Sequence, residues 1–211
     1  MYFAQKIYYN NKPLILTNDL REYLSQHTIA AGYLNFTGAF PRNYRLAFQH
    51  LDKLNSLGAI IEDISPTSLQ NELHRLYEPI EAGGGVVENE AGDVLMIYRR
   101  GKWDLPKGKC DEGEDIGDCA VREVSEETGL QNLELGEKIC DTYHIYSQKR
   151  QNLLKCTSWY KMKGTSKDNL QPQQEENIQE ARWVAKDQLR PLVYKSYEAI
   201  REVLQQGGFN W

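Results

Sequence analysis

Gly108 to Leu130 reads GKCDEGEDIGDCAVREVSEETGL, and the rest of the chain is organised around it. Ile116, Ala120, Val121 and Val124 recur at three- and four-residue intervals, the spacing of one helical face. That predicts a helix from Asp115 to Thr128 packed on a core by its apolar side. Glu114 and Asp115 suit a helix N-terminus, and Gly129 suits the left-handed residue that ends one. Glu123, Glu126 and Glu127 lie three and four positions apart, so the same spacing gathers three carboxylates on the side away from Val121 and Val124. Like charges so placed repel by a few tenths of a kcal/mol per pair. Solvent offsets this on an ordinary acidic helix face. A hard divalent cation such as Mg²⁺ also offsets it, and leaves coordination positions for phosphate oxygens.

Gly108, five residues, Glu114, seven residues and then Arg122-Glu123-Val124-Ser125-Glu126-Glu127-Thr128-Gly129-Leu130 match the Nudix box at all nine defined positions. The chain resembles Nudix (MutT-like) hydrolases from about Ala82 to Leu204. The resemblance implies an α/β/α sandwich around a mixed sheet and a site for Mg²⁺ or Mn²⁺. It also implies hydrolysis of a nucleoside diphosphate linked to another group. Carried over position by position, it makes Glu123, Glu126 and Glu127 metal ligands together with the backbone carbonyl of Lys107. Glu123 is also a candidate base, and Arg122 orients it. Gly108 and Gly129 serve the backbone, while Glu114 braces the loop or pairs with Arg122. Many members take a further carboxylate from a later loop. Glu175, Glu176 and Glu180 are the candidates, with Glu176 favoured, and the alternative is an acidic loop in water.

The whole chain has 211 residues, 40% hydrophobic and 26% charged, an ordinary globular composition for one large domain or two small ones. Its net charge of −5 argues against a broad electrostatic footprint for nucleic acid, and it is the resemblance that implies a nucleotide-type small-molecule substrate. Cys110, Cys119, Cys140 and Cys156 show no zinc spacing, which predicts four reduced thiols. With no secretory leader and no apolar run of membrane length, a cytoplasmic protein without a membrane partner is expected.

Residues 1–79 read as a small α/β domain. A hairpin from Lys6 to Leu16 turns at Asn10-Asn11, and Thr17-Asn18-Asp19 offers a cap for a short helix through Leu24. Tyr44 to Leu57 has helical spacing, Ala59 to Ile64 reads as a strand, and Ser65-Pro66 starts another helix. Such a domain serves as a lid, as a homodimer element, as a substrate selector, or as a packing appendage. Residues 80–211 form the second domain. Strands at 84–88 and 94–98 lead to Arg99, Arg100 and Lys102. Further strands are expected at 133–140, 142–146, 153–162 and 181–184, a mobile loop at 164–174, and helices at 186–189 and 194–205. Gly83, Gly84 and Gly85 either permit a ligand to approach the backbone or relieve crowding in the sheet.

Arg99, Arg100 and Lys107 are candidate phosphate contacts, or cations of a solvated turn. Tyr143, His144, Tyr146 and Trp159 are candidates for stacking on a base, or for packing in a sheet. LPKGK around Gly108, with Tyr146 beyond the box, resembles the diadenosine-polyphosphate branch of the family. The same PKG resembles diphosphoinositol-polyphosphate and RNA-cap hydrolases. A catalytically silent nucleotide sensor is the alternative from another class, and the intact Arg122, Glu123, Glu126 and Glu127 favour an enzyme.

Overall fold

The computed structural model describes residues 1–209 and separates into two compact units. Met1–Ile80 with Tyr143–Lys155 form one, and Glu81–Thr142 with Cys156–Trp211 form the other. Residues 143–155, which the sequence places in the second domain, therefore belong to the first unit.

In the first unit β1 (Ala4–Tyr9) and β2 (Lys12–Thr17) pair antiparallel, with Tyr9 opposite Lys12. The turn forms because Asn10 and Asn11 both take positive φ, 51° and 61°, as a two-residue turn of this hand requires and asparagine tolerates. Asp19 then caps α1 (Leu20–Gln26), its carboxylate accepting from the Glu22 amide at 2.9 Å. The following Gly- and Phe-containing passage forms a short 3₁₀ turn, β3 (Leu34–Thr37), and α2 (Pro41–Leu51) with proline in its first turn. The helix expected to reach Leu57 stops at Leu51. Lys12 places its ammonium on the carbonyls of Leu51 and Lys53, which ends the helix, and Leu54 and Leu57 are left exposed. β4 (Ala59–Glu62) and α3 (Pro66–Leu76) follow, the latter capped by Ser65 Oγ.

β2, β4 and β3 pair in parallel, while β1 also pairs in parallel with Tyr143–Ile145. Alternate side chains leave this sheet on opposite faces. Ile7, Leu14, Leu16 and Ile61 meet Tyr44, Ala47, Leu51, Leu69 and Leu73 of α2 and α3. Ile15 and Ile60 meet Tyr23 and Ala30 on the other face.

The second unit is built from β5 (Glu78–Glu88), β6 (Val94–Arg99), β7 (Lys102–Asp104) and β8 (Lys107–Lys109), then α4 (Ile116–Thr128). β9 (Glu134–Gln148) as far as Thr142, β10 (Gln151–Lys163) from Cys156 onward, β11 (Ile178–Val184), α5 (Leu189–Tyr194) and α6 (Glu198–Gln206) complete it. The two strands expected at 133–140 and 142–146 are one, a helix forms at 189–194 where none was expected beyond 189, and the last helix begins at Glu198 instead of Tyr194. Strand order here is β11-β6-β5-β10-β9, with β7 on β6 and β8 on β5.

Period-two alternation again builds two cores. Val87 and Leu95 face α4 through Ala120 and Val124, with Leu130 just beyond its end in the same cluster. Their neighbours Val86, Val94 and Met96 face α5 and α6 through Leu192, Val193, Ile200, Val203 and Leu204. Helices thus cover both faces of the sheet, the sandwich expected.

The glycine run explains how closely α4 can approach. A Cβ on Gly83 would sit 2.5 Å from the Ala120 backbone nitrogen, and one on Gly84 2.7 Å from Lys107 Cβ. These glycines admit neighbouring protein. The loop expected to be mobile is tied to the end of α4. Gln171 N donates to Thr128 O at 2.7 Å, and Asp168 accepts from the Gln131 and Asn132 amides at 3.0 and 3.1 Å. Among the described residues no helix is long and apolar enough to cross a membrane.

Candidate active site

The site grows from the two ends of α4. Asp115 caps the start, accepting from the Gly117 amide at 2.8 Å, and Gly129 ends it at φ 81° with its amide on Ser125 O. Between them Arg122 is the hub. Its Nε and Nη2 grip both oxygens of Glu114 at 2.8 Å each, the two-pronged geometry that guanidinium and carboxylate share. Its Nη1 donates to Glu123 Oε1 at 2.8 Å and to Glu126 Oε2 at 3.2 Å, so two box carboxylates converge on one positive nitrogen. Nη2 also donates to the Lys109 carbonyl at 3.1 Å.

These contacts set the electrostatics. The hydrogen bond from Arg122 holds the Glu114 carboxyl down at about 2, and Glu114 in turn raises the guanidinium's pKa. Burial pushes Glu123 up. Glu126 and Glu176 add to the rise, and Arg122 opposes it.

Glu123 lies directly over Gly108. A Cβ there would stand 1.7 Å from Glu123 Oε2, so glycine at this position makes room for the carboxylate.

Glu127 departs from the expected exposed cluster. It is 1% exposed, turned inward between Arg99 Nη1, 3.0 Å from Oε1, and the Lys107 amide, 2.9 Å from Oε2. Burial raises its pKa against the pull of Arg99 and Lys107. Arg99 also donates to Asp104 at 2.9 Å, and Lys107 Nζ reaches the same carboxylate oxygen at 2.8 Å. Burial would push Asp104 up, but Lys107 and Arg99 outweigh it and hold the group at about 2. Arg99, Asp104, Lys107 and Glu127 thus form one buried network of two cations and two carboxylates.

Asp104 is the member that sequence reasoning misses. Its only local signal is an acid three residues before Lys107 and five after Arg99, which means little until β6 and β7 pair. The same network corrects the reading of Lys107 as a phosphate-binding side chain. Its ammonium is buried on Asp104 and stands 5.9 Å from the Trp159 ring centre. Arg99 likewise holds Glu127.

Arg100 is exposed at the β6–β7 turn. Glu176, also exposed, is close enough to act electrostatically on both Arg99 and Glu123. Glu180 instead pairs with Arg182 at 3.3 Å. Trp159 is a core residue whose Nε1 donates to Thr142, and Tyr143, His144 and Tyr146 belong to the first unit. There His144 stacks on Tyr8, and Lys155 lies over Tyr146.

The expectation of four reduced thiols fails at two positions. Cys110 and Cys119 are joined in a disulfide, because the loop after β8 folds back over the first turn of α4. Among the described residues the tight grouping of metal-capable side chains is Cys110, Glu114 and Cys119. Of the three box glutamates, Glu123 and Glu126 share Arg122 Nη1 and Glu127 is held by Arg99.

Nucleoside diphosphate-linked moiety X motif 6 of Xenopus laevis is 44% identical over 57 residues, 25% of this chain and 26% of that protein. A putative 8-oxo-dGTP diphosphatase of Bacillus subtilis is 45% identical over 56 residues, 26% of this chain and 37% of that one. An RNA pyrophosphohydrolase of Bartonella quintana is 40% identical over 72 residues, 34% and 39% of the two chains. The chain therefore spans between about a quarter and two fifths of the length of these relatives. Among solved structures, a MutT NUDIX hydrolase from Burkholderia pseudomallei superposes with a TM-score of 0.47 at 25% identity, over 61% of this chain and 98% of that one. A C. elegans Ap4A hydrolase gives 0.48 at 23% identity, over 61% and 95%. The NUDIX domain model matches residues 79–206, which hold the capped α4, its carboxylates and the strands that brace them, and the chain belongs to the NUDIX family.

Proposed function

We propose that the chain is a divalent-metal-dependent pyrophosphohydrolase, cleaving a diphosphate linkage between a nucleoside and another moiety. The observation that carries this reading is the convergence of Glu123 and Glu126 on the single nitrogen Arg122 Nη1, beside the Gly108 space that Glu123 fills. A cation already sits between these carboxylates. The donor set of Glu123, Glu126, Glu127 and the Lys107 carbonyl is all oxygen, which suits Mg²⁺ or Mn²⁺. Bound there, such an ion would neutralise the diphosphate and lower the pKa of a coordinated water.

The protein's own groups divide the remaining tasks. Arg122, locked by Glu114, holds Glu123 in orientation. Arg99 and the Lys107 amide fix Glu127. Glu176, exposed and within electrostatic reach of Glu123, is one candidate to accept the proton of the attacking water. Glu123 is the other candidate for that role, its proton affinity raised by burial.

Substrate choice follows from where the cations are. Lys107 and Arg99 are committed to Asp104 and Glu127, leaving Arg100 as the exposed cation of the three. With a net charge of −5, this favours a substrate of few phosphates whose charge the metal carries, such as a dinucleoside polyphosphate. It disfavours a diphosphoinositol polyphosphate or a long RNA, which need several free cations.

The test is product analysis by mass spectrometry with dinucleoside polyphosphates, ADP-ribose, nucleoside triphosphates, diphosphoinositol phosphates and capped RNA, in Mg²⁺ and in Mn²⁺. Glu126→Gln, at an exposed position, is the control. Turnover of a nucleotide class that the variant loses is the expected result. A folded protein that turns over nothing would favour the sensor reading instead.

A further inference from the structure

We propose that Cys110 and Cys119 are a redox-active pair, a modification site that exchanges with small thiols and disulfides and so ties or releases the loop carrying Glu114. The two residues are nine apart in sequence, with Cα atoms 5.2 Å apart, and are joined by a disulfide. The chain between them holds Glu114, whose carboxylate accepts from the Asp111 amide at 2.9 Å and grips Arg122 at 2.8 Å. The Cys119 sulfur stands 4.0 Å from Arg122 Nη2, and the same nitrogen donates to Lys109 O, next to Cys110. The cross-link therefore encircles the group that positions Arg122, and Arg122 Nη1 lies between Glu123 and Glu126.

Accessibility sets the direction of attack. Cys119 is fully buried in the first turn of α4, whereas Cys110 is partly exposed at the end of β8. A small thiolate attacks Cys110 Sγ. The sulfur–sulfur bond breaks and Cys119 leaves as a thiolate, stabilised by the helix N-terminus and the nearby guanidinium. A second small thiolate attacks the small thiol's sulfur in this mixed disulfide, forming the small disulfide and releasing Cys110 as a thiolate, and both cysteines then take up a proton. In sum, the protein disulfide gains two electrons and two protons, and two small thiols become one small disulfide. The reverse exchange restores the bond. Cys140 offers no such chemistry, since burial pushes its thiol up to about 11.

In the oxidised form both ends of the loop are fixed, so Glu114 is presented to Arg122. In the reduced form only side-chain and backbone hydrogen bonds hold it. Only the metal-affinity consequence rests on the function proposed above.

The experiment uses the full chain with Cys140→Ser and Cys156→Ser, equilibrated over a range of reduced-to-oxidised glutathione ratios, trapped with a maleimide and weighed. Amide hydrogen exchange and Mn²⁺ titration are run at both extremes. The expected result is reversible interconversion of two masses, with exchange of 109–118 about threefold or more faster after reduction. Mn²⁺ affinity should fall on reduction by about threefold or more, as for loss of an outer-shell brace. Adding Cys110→Ser should give the reduced behaviour in every buffer. Two thiols that stay alkylatable in the most oxidising buffer, a bond that no glutathione ratio opens, or equal exchange in the two forms would each overturn the proposal. Absence of Mn²⁺ binding in both forms would count against the metal reading instead, and the trapping and exchange results would still decide the cysteine pair.

Discussion

Arg99 donates from Nη1 to Glu127 Oε1 at 3.0 Å, making a residue at the end of β6 the brace of a carboxylate on α4. The Lys107 amide holds the other oxygen. Glu127 is thus fixed by two donors from two different strands before any ligand arrives. This is the preorganisation that a metal or transition-state site needs, because a carboxylate free to turn would pay for its ordering during the reaction.

If Arg99 acts by bracing Glu127, Arg99→Met should lower kcat by about 10- to 100-fold, the range typical of outer-shell partners, with KM within about threefold. Steady-state kinetics on the best nucleotide substrate decides it. A raised KM with unchanged kcat would mean that Arg99 contacts substrate instead.

Asp104 is the counter-ion of a buried ammonium, so Asp104→Asn should destabilise the fold by about 3 kcal/mol at neutral pH, as for breaking other buried pairs. The pH dependence has a definite sign. Asp104 titrates at about 2 in the fold, below the roughly 3.9 of an unfolded chain. Its contribution is fully present above about pH 4 and is lost as pH falls through about 2. Denaturant melts of both proteins should show a full gap at pH 6 that narrows below pH 4, and a gap independent of pH would contradict this account.

Two glycines should separate structure from chemistry. At Gly83 an added Cβ meets the Ala120 backbone at 2.5 Å, which cannot yield without moving α4. Gly83→Ala should therefore cost about 3 kcal/mol of stability. At Gly108 the obstacle is the carboxylate end of Glu123, which can swing away. Gly108→Ala should leave the melting temperature within a few degrees, yet lower turnover about 100-fold, as expected for a catalytic group displaced by an ångström or more. Thermal melts and kinetics on the same preparations test both.

What the sequence makes legible is what local chemistry decides. The Asn10-Asn11 turn, the caps at Asp19, Ser65 and Asp115, and the glycine end of α4 each follow from neighbouring residues. Non-local partners decide the rest. Helical spacing groups Glu127 with Glu123 and Glu126, but Arg99, Asp104 and the Lys107 amide, brought together by strand pairing, draw it inward. Leucine periodicity runs on through Leu54 and Leu57, but Lys12 from β2 stops the helix at Leu51. Cys110 and Cys119 have no motif spacing, and only the folding of their loop onto α4 brings them together.

The central claim, that the box carboxylates hold a divalent cation, is tested most directly by titrating Mn²⁺ into the protein and counting free ion by electron paramagnetic resonance. Wild type is compared with the double variant Glu123→Gln, Glu126→Gln. The account predicts saturable binding by the wild type and affinity lower by about 100-fold in the folded variant, roughly tenfold for each carboxylate lost. Equal affinity in the two proteins, or no saturable binding by a folded wild type, would contradict it.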